Sequence, residues 1–572
     1  MKIHPSRPSL IQRVALPRST VTSLLCSLST MLAVAPVSSA ANLVWDPSGT
    51  KSATGSAGSG AWDTSTSSWW LSGPSNTTWA DSNSATFGGT DGTAQSYVIS
   101  LTGGSTFTTT GIAINNTGYR FQAASAATLN LGTGTTSALS IATGKSATIG
   151  NNVTVTSSEG AGNTAIKGGG TLNIGGSGIT NAAVTHTGLL IKIDGGTTVN
   201  VNSGGSLSTT AAAIVVGGSA SQVGILNVEG GTVSASANNV VLANGAGATG
   251  TLNINSGSVT ITGASNVVRF GSSGGTSGTG IVNLNGGTLT TSGLTQTGTT
   301  SATLNLNGGV LKATKANTGF LTGTITNVVK TGGAKIDTNS FAITIGQALI
   351  HDAGLESTVD GGLTKSGTGT LTLSTANTFT GRTLVNAGTL ALSNVLALQN
   401  SALDVSGAGT VTFTAGTNTY TLGGLQGVGT LTATGKTIGL NSSGSSAVTI
   451  TGSGDFQVGA AITVAATAFT FDGTLNITLS DTLSTGSHTF NLFDGQTGGS
   501  FDSVSIAGSY TASGGSGSAF TDSSGNSFSF NNSTGDLSVT ISAVPEPSTY
   551  AILAGASMLG VAVCRRRKTV IS

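Results

Sequence analysis

The chain is poor in the residues that catalysis and cross-linking need. Of 572 residues, 7% are charged, 8 are proline, 4 are histidine and 2 are cysteine. Cys26 and Cys564 lie near opposite ends, so the region between them can build neither a disulfide framework nor a thiolate metal site. His4 stands at the N-terminus, and His186, His351 and His488 are far apart in sequence. Between residues 92 and 335 the only carboxylates are Glu159, Asp194 and Glu229. A calcium-dependent lyase would need an acidic cluster beside a cation, and a glycoside hydrolase would need paired carboxylates; neither concentration occurs. The densest polar group, His351, Asp352, Glu356 and Asp360, reads as a solvated loop rather than a cation site. No catalytic residue, metal ligand or cofactor is expected. Eight of the 21 Lys and Arg sit at the two ends, leaving the interior weakly acidic. That balance argues against a nucleic-acid partner.

What the chain has is glycine, 88 residues of it, and an ordinary apolar fraction of 37% arranged in a repeat. Units such as TLNIGG, VNVNSGG, ILNVEGG, TLNINSG, IVNLNGG and TLNLNGG place Asn173, Asn200, Asn227, Asn253, Asn283 and Asn305 at intervals of 22 to 30 residues. Within each unit the apolar residues alternate, as in Leu226 and Val228 or Leu252 and Ile254, which turns one strand face inward. The glycines that follow supply positive φ for a corner. A strand, corner, strand unit cannot bury its inner face alone, but copies stacked ~4.8 Å apart can. The pattern predicts an all-β fold, a right-handed parallel β-helix. The asparagines read as a rung-to-rung hydrogen-bonded ladder rather than as ligands.

Both ends carry targeting signals. Lys2, Arg7, Arg13 and Arg18 precede an apolar stretch over 21–37, and the small residues that follow place signal-peptidase cleavage after Ala40 or Ala41. At the other end, Val544, Pro545, Glu546 and Pro547 form an extended segment, followed by Tyr550, an apolar run over 551–564, and Arg565, Arg566, Arg567 and Lys568. Fourteen apolar residues reach ~21 Å, short of a ~30 Å hydrocarbon core unless Tyr550 and the snorkelling cations extend the span. The cations would stay cytoplasmic; the alternative is a buried core helix. This tail resembles the PEP-CTERM sorting signal of Gram-negative bacteria. The resemblance implies an exosortase-like processing enzyme, transit through the inner membrane and export with the exopolysaccharide machinery.

Residues 362–394 resemble the autotransporter-associated β-strand repeat. The match rests on Leu363, Lys365, Gly367, Gly369, Thr370, Leu371, Leu373, Asn377, Phe379, Gly381, Val385, Gly388, Thr389 and Leu390, with looser echoes over 328–349 and 417–432. Such repeats imply a secreted β-helical passenger. All five tryptophans, Trp45, Trp62, Trp69, Trp70 and Trp79, fall in one region. That region predicts a hydrophobic cap over the first coil, with a sugar-stacking platform on Trp62, Trp69, Trp70 and Trp79 as the alternative.

The expected order is a signal peptide at 1–41, a Trp-rich cap with the first coils at 42–126 and β-helix repeats at 127–436. A C-terminal β region at 437–542 follows, either last coils with a cap or a small sandwich. The sorting tail occupies 543–572, with its membrane segment at 550–564. The functional expectation is an exported, non-catalytic structural or adhesive protein of the cell surface or extracellular matrix. Its expected partners are signal peptidase, the exosortase-like enzyme, the inner membrane and exopolysaccharide. The alternative is a carbohydrate-active β-helix enzyme, a lyase or hydrolase, whose dispersed residues converge on one face.

Overall fold

The computed structural model describes residues 40–543, except 133–137, 158–162, 188–189, 273, 276, 417–418, 428, 441–444, 451–461, 480–481 and 495–497. The signal-peptide stretch before Ala40, the sorting motif and the membrane segment therefore lie outside the described residues. The described chain is all-β, a parallel β-solenoid of about 14 turns whose one helical element is the short 3-10 turn Ala353–Leu355. Among the described residues no helix is long and apolar enough to cross a membrane.

Period-two alternation sets the register. On the first face, strands Thr171–Ile174, Thr197–Asn202, Val223–Ala235, Ala248–Ile261, Gly278–Leu284 and Ser301–Leu306 pair in parallel, each with the next. Leu172, Val199, Leu226, Leu252, Val282 and Leu304 stand in one inward column, and Ile174, Val201, Val228, Ile254, Leu284 and Leu306 in a second. None of these side chains is more than 1% exposed. Between the columns, on the outer side, runs the asparagine ladder. Each Nδ2 donates to the Oδ1 one coil back, at 2.9 Å from Asn200 to Asn173, 2.8 Å from Asn227 to Asn200, 2.7 Å from Asn253 to Asn227, and 2.6 Å for both Asn283 to Asn253 and Asn305 to Asn283. The corner after each strand is tight enough to demand glycine. Gly257 has φ +77°, and a Cβ there would lie 2.2 Å from the Gly231 carbonyl oxygen.

The sequence suggested two strands per coil; the structure has three. The second face follows the corner and includes Ala182–His186 and Gly205–Thr209. A third face of short strands, among them Ala138–Ile141, Asn163–Lys167, Leu190–Ile193, Ala213–Val216, Val240–Leu242 and Val268–Phe270, closes each coil. One inward column is Leu139, Ile166, Ile193, Val216, Leu242 and Phe270, and a second is Ile191, Ile214, Val240 and Val268.

Beyond Lys436 the parallel pairing continues. Gly429–Leu440 pairs with Ile462–Phe471, and Ser445–Ile450 pairs with Thr474–Leu479, which in turn pairs with Ser503–Gly508. An antiparallel sheet of Gly486–Asn491, Asp536–Ile541, Ser527–Asn531 and Phe520–Thr521 follows. Phe471, Phe493, Phe501 and Phe530 pack against one another beneath it, with the Phe471 and Phe501 rings 4.7 Å apart. Of the two alternatives for this region, the coordinates give last coils with an antiparallel cap.

Leu252→Ala empties a fully buried site with aliphatic neighbours on both adjacent coils, and is expected to cost about 2–5 kcal/mol. Asn253→Ala removes two amide hydrogen bonds at a half-buried position and is expected to cost about 1–3 kcal/mol. Urea unfolding of both variants checks the order. An Asn253→Ala protein as unstable as Leu252→Ala would mean that the ladder, not the aliphatic column, holds the coils together.

Candidate functional site

The aromatic region is interior. Strands Asn42–Trp45, Gly60–Trp62 and Trp69–Trp70 turn Trp45, Trp62 and Trp69 inward, where they are fully buried, and Trp79 is 2% exposed. The rings meet edge to face, Trp62 lying 4.8 Å from Trp79 and 5.0 Å from Trp69, and Trp45 lying 5.2 Å from Trp69. A sugar needs a free ring face. The stacking platform is therefore withdrawn for Trp62, Trp69 and Trp79, whose faces are filled by one another and by Phe87. Trp70 is half-buried, its Nε1 donating to the Gly73 carbonyl at 3.4 Å.

The polar group at 351–360 is assembled by a corner that leaves the first face after strand Leu349–His351 and returns to the second face at Leu363–Ser366. Asp352 caps the 3-10 turn by accepting from the Gly354 N–H, and it pairs with Lys330 at 2.9 Å. His351 Nδ1 lies 2.8 Å from Asp360 Oδ2, and its Nε2 lies 3.1 Å from the carbonyl oxygen of Glu356. Asp360 is fully buried in its side chain. Its Oδ1 accepts from the N–H groups of Gly362 and Gly381, both at 2.9 Å, and its Oδ2 accepts from the Thr380 N–H at 2.8 Å. The carboxylate thus ties one coil to the next and has little lone-pair capacity left for a cation.

Both ring nitrogens of His351 face acceptors, a carboxylate and a carbonyl, so the ring fits best as imidazolium. The Asp360 hydrogen bond is the main cause that raises its pKa; partial burial opposes, and the Glu356 carbonyl and the charges of Asp360 and Asp352 add to the rise. The neighbouring hydroxyl, Thr380 Oγ1, is 3.2 Å from the same Nδ1 that Asp360 occupies. This is not a nucleophile and base relay, because the other nitrogen is spent on backbone. His186 and His488 are buried elsewhere, His488 Nε2 lying 2.8 Å from the Ser484 carbonyl oxygen.

Sequence reasoning named Lys365 only as part of a repeat pattern and missed its burial. The side chain is fully inside. Its ammonium donates to Thr338 Oγ1 at 2.9 Å and to the carbonyls of Ser366, Gly367 and Ala387 at 3.0, 2.6 and 2.9 Å. Burial pushes its pKa down to about 8, against the charge of Asp337, so it stays protonated at neutral pH. A lysine two residues before a glycine is the trace of this in the sequence. The outward residues beyond the asparagine ladder were also missed: Asn255, Asn285 and Asn307 form a second ladder that starts on Glu229.

The raised pKa of His351 has a definite sign. A base held protonated in the fold contributes stability that is complete below its unfolded pKa of 6.5 and is lost as pH rises through the folded value. Between about pH 6 and pH 7.5, above the lowered carboxylates and below the point where Lys365 is half deprotonated, the melting temperature of the parent relative to His351→Gln should fall as pH rises. An NMR titration placing the His351 pKa at or below 6.5 would remove the assignment.

Comparison with known families gives two matches. A passenger-associated transport repeat covers residues 363–392 and 403–421, and a PEP-CTERM protein-sorting motif covers 543–568. The first falls on the coils that contain Lys365 and Asn377; the echo over 328–349 lies outside it. No curated protein and no solved structure matches the chain. The chain thus carries a PEP-CTERM protein-sorting motif near its C-terminus and passenger-associated transport repeats within a parallel β-solenoid.

Proposed function

We propose that this is an exported, non-catalytic scaffold of the cell surface or extracellular matrix that adheres to neutral exopolysaccharide through a solenoid flank. In this reading signal peptidase releases the chain after Ala40 or Ala41. The tail, with a transmembrane helix over 550–564, holds a precursor in the inner membrane until an exosortase-type enzyme acts at the PEP motif. The sorting motif supports export and a surface or extracellular destination. The coil sense is right-handed, the hand that parallel β crossovers take.

The observation that carries the adhesive reading is the second face. Over the eight coils before Val310 and Lys312, its outward positions run in two registered rows, Thr106, Thr128, Thr154, Ala183, Ser206, Thr232, Ser258 and Thr288 in one, and Thr108, Asn130, Thr156, Thr185, Ser208, Ser234, Thr260 and Thr290 in the other. Apart from Ala183 and Asn130, every position carries a hydroxyl, and none is charged. All are exposed or half-buried. Rungs ~4.8 Å apart and residues two apart along a strand make a regular grid of donors and acceptors. Serines at Ser206, Ser208, Ser234 and Ser258 lack the threonine methyl, so the shared feature is hydrogen bonding to a partner rich in hydroxyls. Single bonds of this kind are worth about 0.5–1.5 kcal/mol net, so adhesion depends on many made together. The non-catalytic part rests on the densest ionisable group, which is consumed in tying coils and turns.

Fractionation with mass spectrometry of the C-terminus tests the sorting; the expected product ends near the PEP motif and is found outside the inner membrane. An intact tail retained in that membrane would overturn it. For adhesion, a long neutral glucan should bind and its short oligosaccharides should not, and Ser208→Glu/Thr232→Lys should weaken binding several-fold. Length-independent binding would point to a local site and to the enzyme alternative.

A further inference from the structure

We infer that the groove between Lys167 and Lys192 on the third face binds the carboxylate-bearing sugar unit of an acidic polysaccharide. This rests on the extracellular, glycan-contacting reading above, but on a different face and a different chemistry.

The groove has a volume of about 340 Å³, and its polar lining is Lys167, Lys192, Asp194, Ser219 and Gln222. Strand Asn163–Lys167 pairs with Leu190–Ile193 so that Ala165 stands beside Lys192, which brings the two lysines onto adjacent coils. Ala165 and Ala220 keep the space between them open. The carboxylate in the lining is engaged by backbone and hydroxyl donors and forms no ion pair with either lysine. Asp194 Oδ1 accepts from the N–H groups of Gly218 at 2.5 Å and Ser219 at 3.3 Å, and Oδ2 accepts from Ser219 Oγ at 2.7 Å. Neither lysine has an ion-pair partner among the described residues. The Lys192 stem is positioned by packing: a Cβ on Gly218 would come within 3.2 Å of its Cγ and Cδ and within 3.1 Å of Val215 Cγ1. An apolar stem laid against Val215 holds the ammonium at the rim.

Two ammoniums and one hydrogen-bonded carboxylate leave the groove with net positive charge in a region that, between the two basic ends, is weakly acidic. Gln222 and Ser219 add amide and hydroxyl groups that suit a hydroxylated ligand. A cavity of this size takes one or two sugar rings, so the fitting ligand is a uronate unit, with its carboxylate between the lysines and its hydroxyls towards Gln222.

The test uses the full chain, with calorimetry against an alginate oligosaccharide, a neutral dextran of equal length and inorganic phosphate. Alginate should bind, with an affinity that falls as salt is raised. In Lys167→Gln/Lys192→Gln the affinity should drop about tenfold or more, since hydrogen bonds to charged groups are lost. The control Lys335→Gln, on the second face, should bind as the parent does. Circular dichroism and melting show that the double variant is folded; both lysines are surface groups. The inference is overturned if the double variant binds alginate as the parent does, if the parent binds none, or if inorganic phosphate binds as tightly as the alginate oligosaccharide. Dextran reports on the hydroxyl face, so its loss would count against the adhesive reading and leave the groove standing.

Discussion

The structure depends on register between coils. With Val199, Leu226 and Leu252 on one line, the residues between them must point out, and the outward asparagines must meet. An amide can accept from one side and donate to the other, so one hydrogen bond per coil extends along the stack without a charge anywhere in it. The ladder also acts against slippage. Shifting a strand by one residue would turn an asparagine inward and a leucine outward, an exchange that costs burial and leaves a polar group dry.

An inward asparagine does occur on the coil that follows the ladder, without a shift of register. Where strand Ile325–Val329 joins, Leu304 faces Asn327 and Asn305 faces Val328, so the ladder stops. Asn327 is fully buried; its Nδ2 reaches the Ile325 carbonyl at 3.1 Å and Gln347 Oε1 at 3.2 Å, while its Oδ1 finds no partner among the described residues. From here the coils change character. Carbonyl ends gathered on Lys365 and amide groups gathered on Asp360 join successive turns, in place of stacked amides. The passenger-type repeat is in this sense a second solution to the same problem. It couples coils through a few buried charged side chains with many neutral partners, whereas the earlier coils use a neutral row.

The inward columns of the first face were legible because alternation survives translation by one coil, and the asparagines could be counted. The third face was not, because Val240–Leu242 and Val268–Phe270 are too short to show a period and carry no marker residue. Burial of Lys365 was hidden for another reason. Sequence reading assigns lysine to solvent, and only the convergence of carbonyls from two coils makes the interior tolerable. The pairing of His351 with Asp360 lay within sight as a local cluster, yet its purpose depended on Thr380 and Gly381 from the following coil. Contacts across one coil are invisible to local pattern, and the candidate sites are made of such contacts.

The small number of charges explains the two ends. A soluble protein normally discourages sheet edges from pairing with charged side chains and like-charge repulsion. At 7% charged residues this chain has little of either. Each end of the parallel stack instead finishes in antiparallel strands: Asn42–Trp45 pairs with Trp69–Trp70 at one end, and Ser503–Gly508 pairs with Ala512–Gly514 at the other, beside the separate antiparallel sheet. Buried aromatic clusters fill the interior beneath both. Direction reversal removes the edge that another parallel coil would match, and the large rings fill the interior at each end. Capping by geometry needs few protective charges on the flanks, so a run of uncharged hydroxyl-bearing coils before Lys312 and the pair Lys167 and Lys192 can each present its own chemistry.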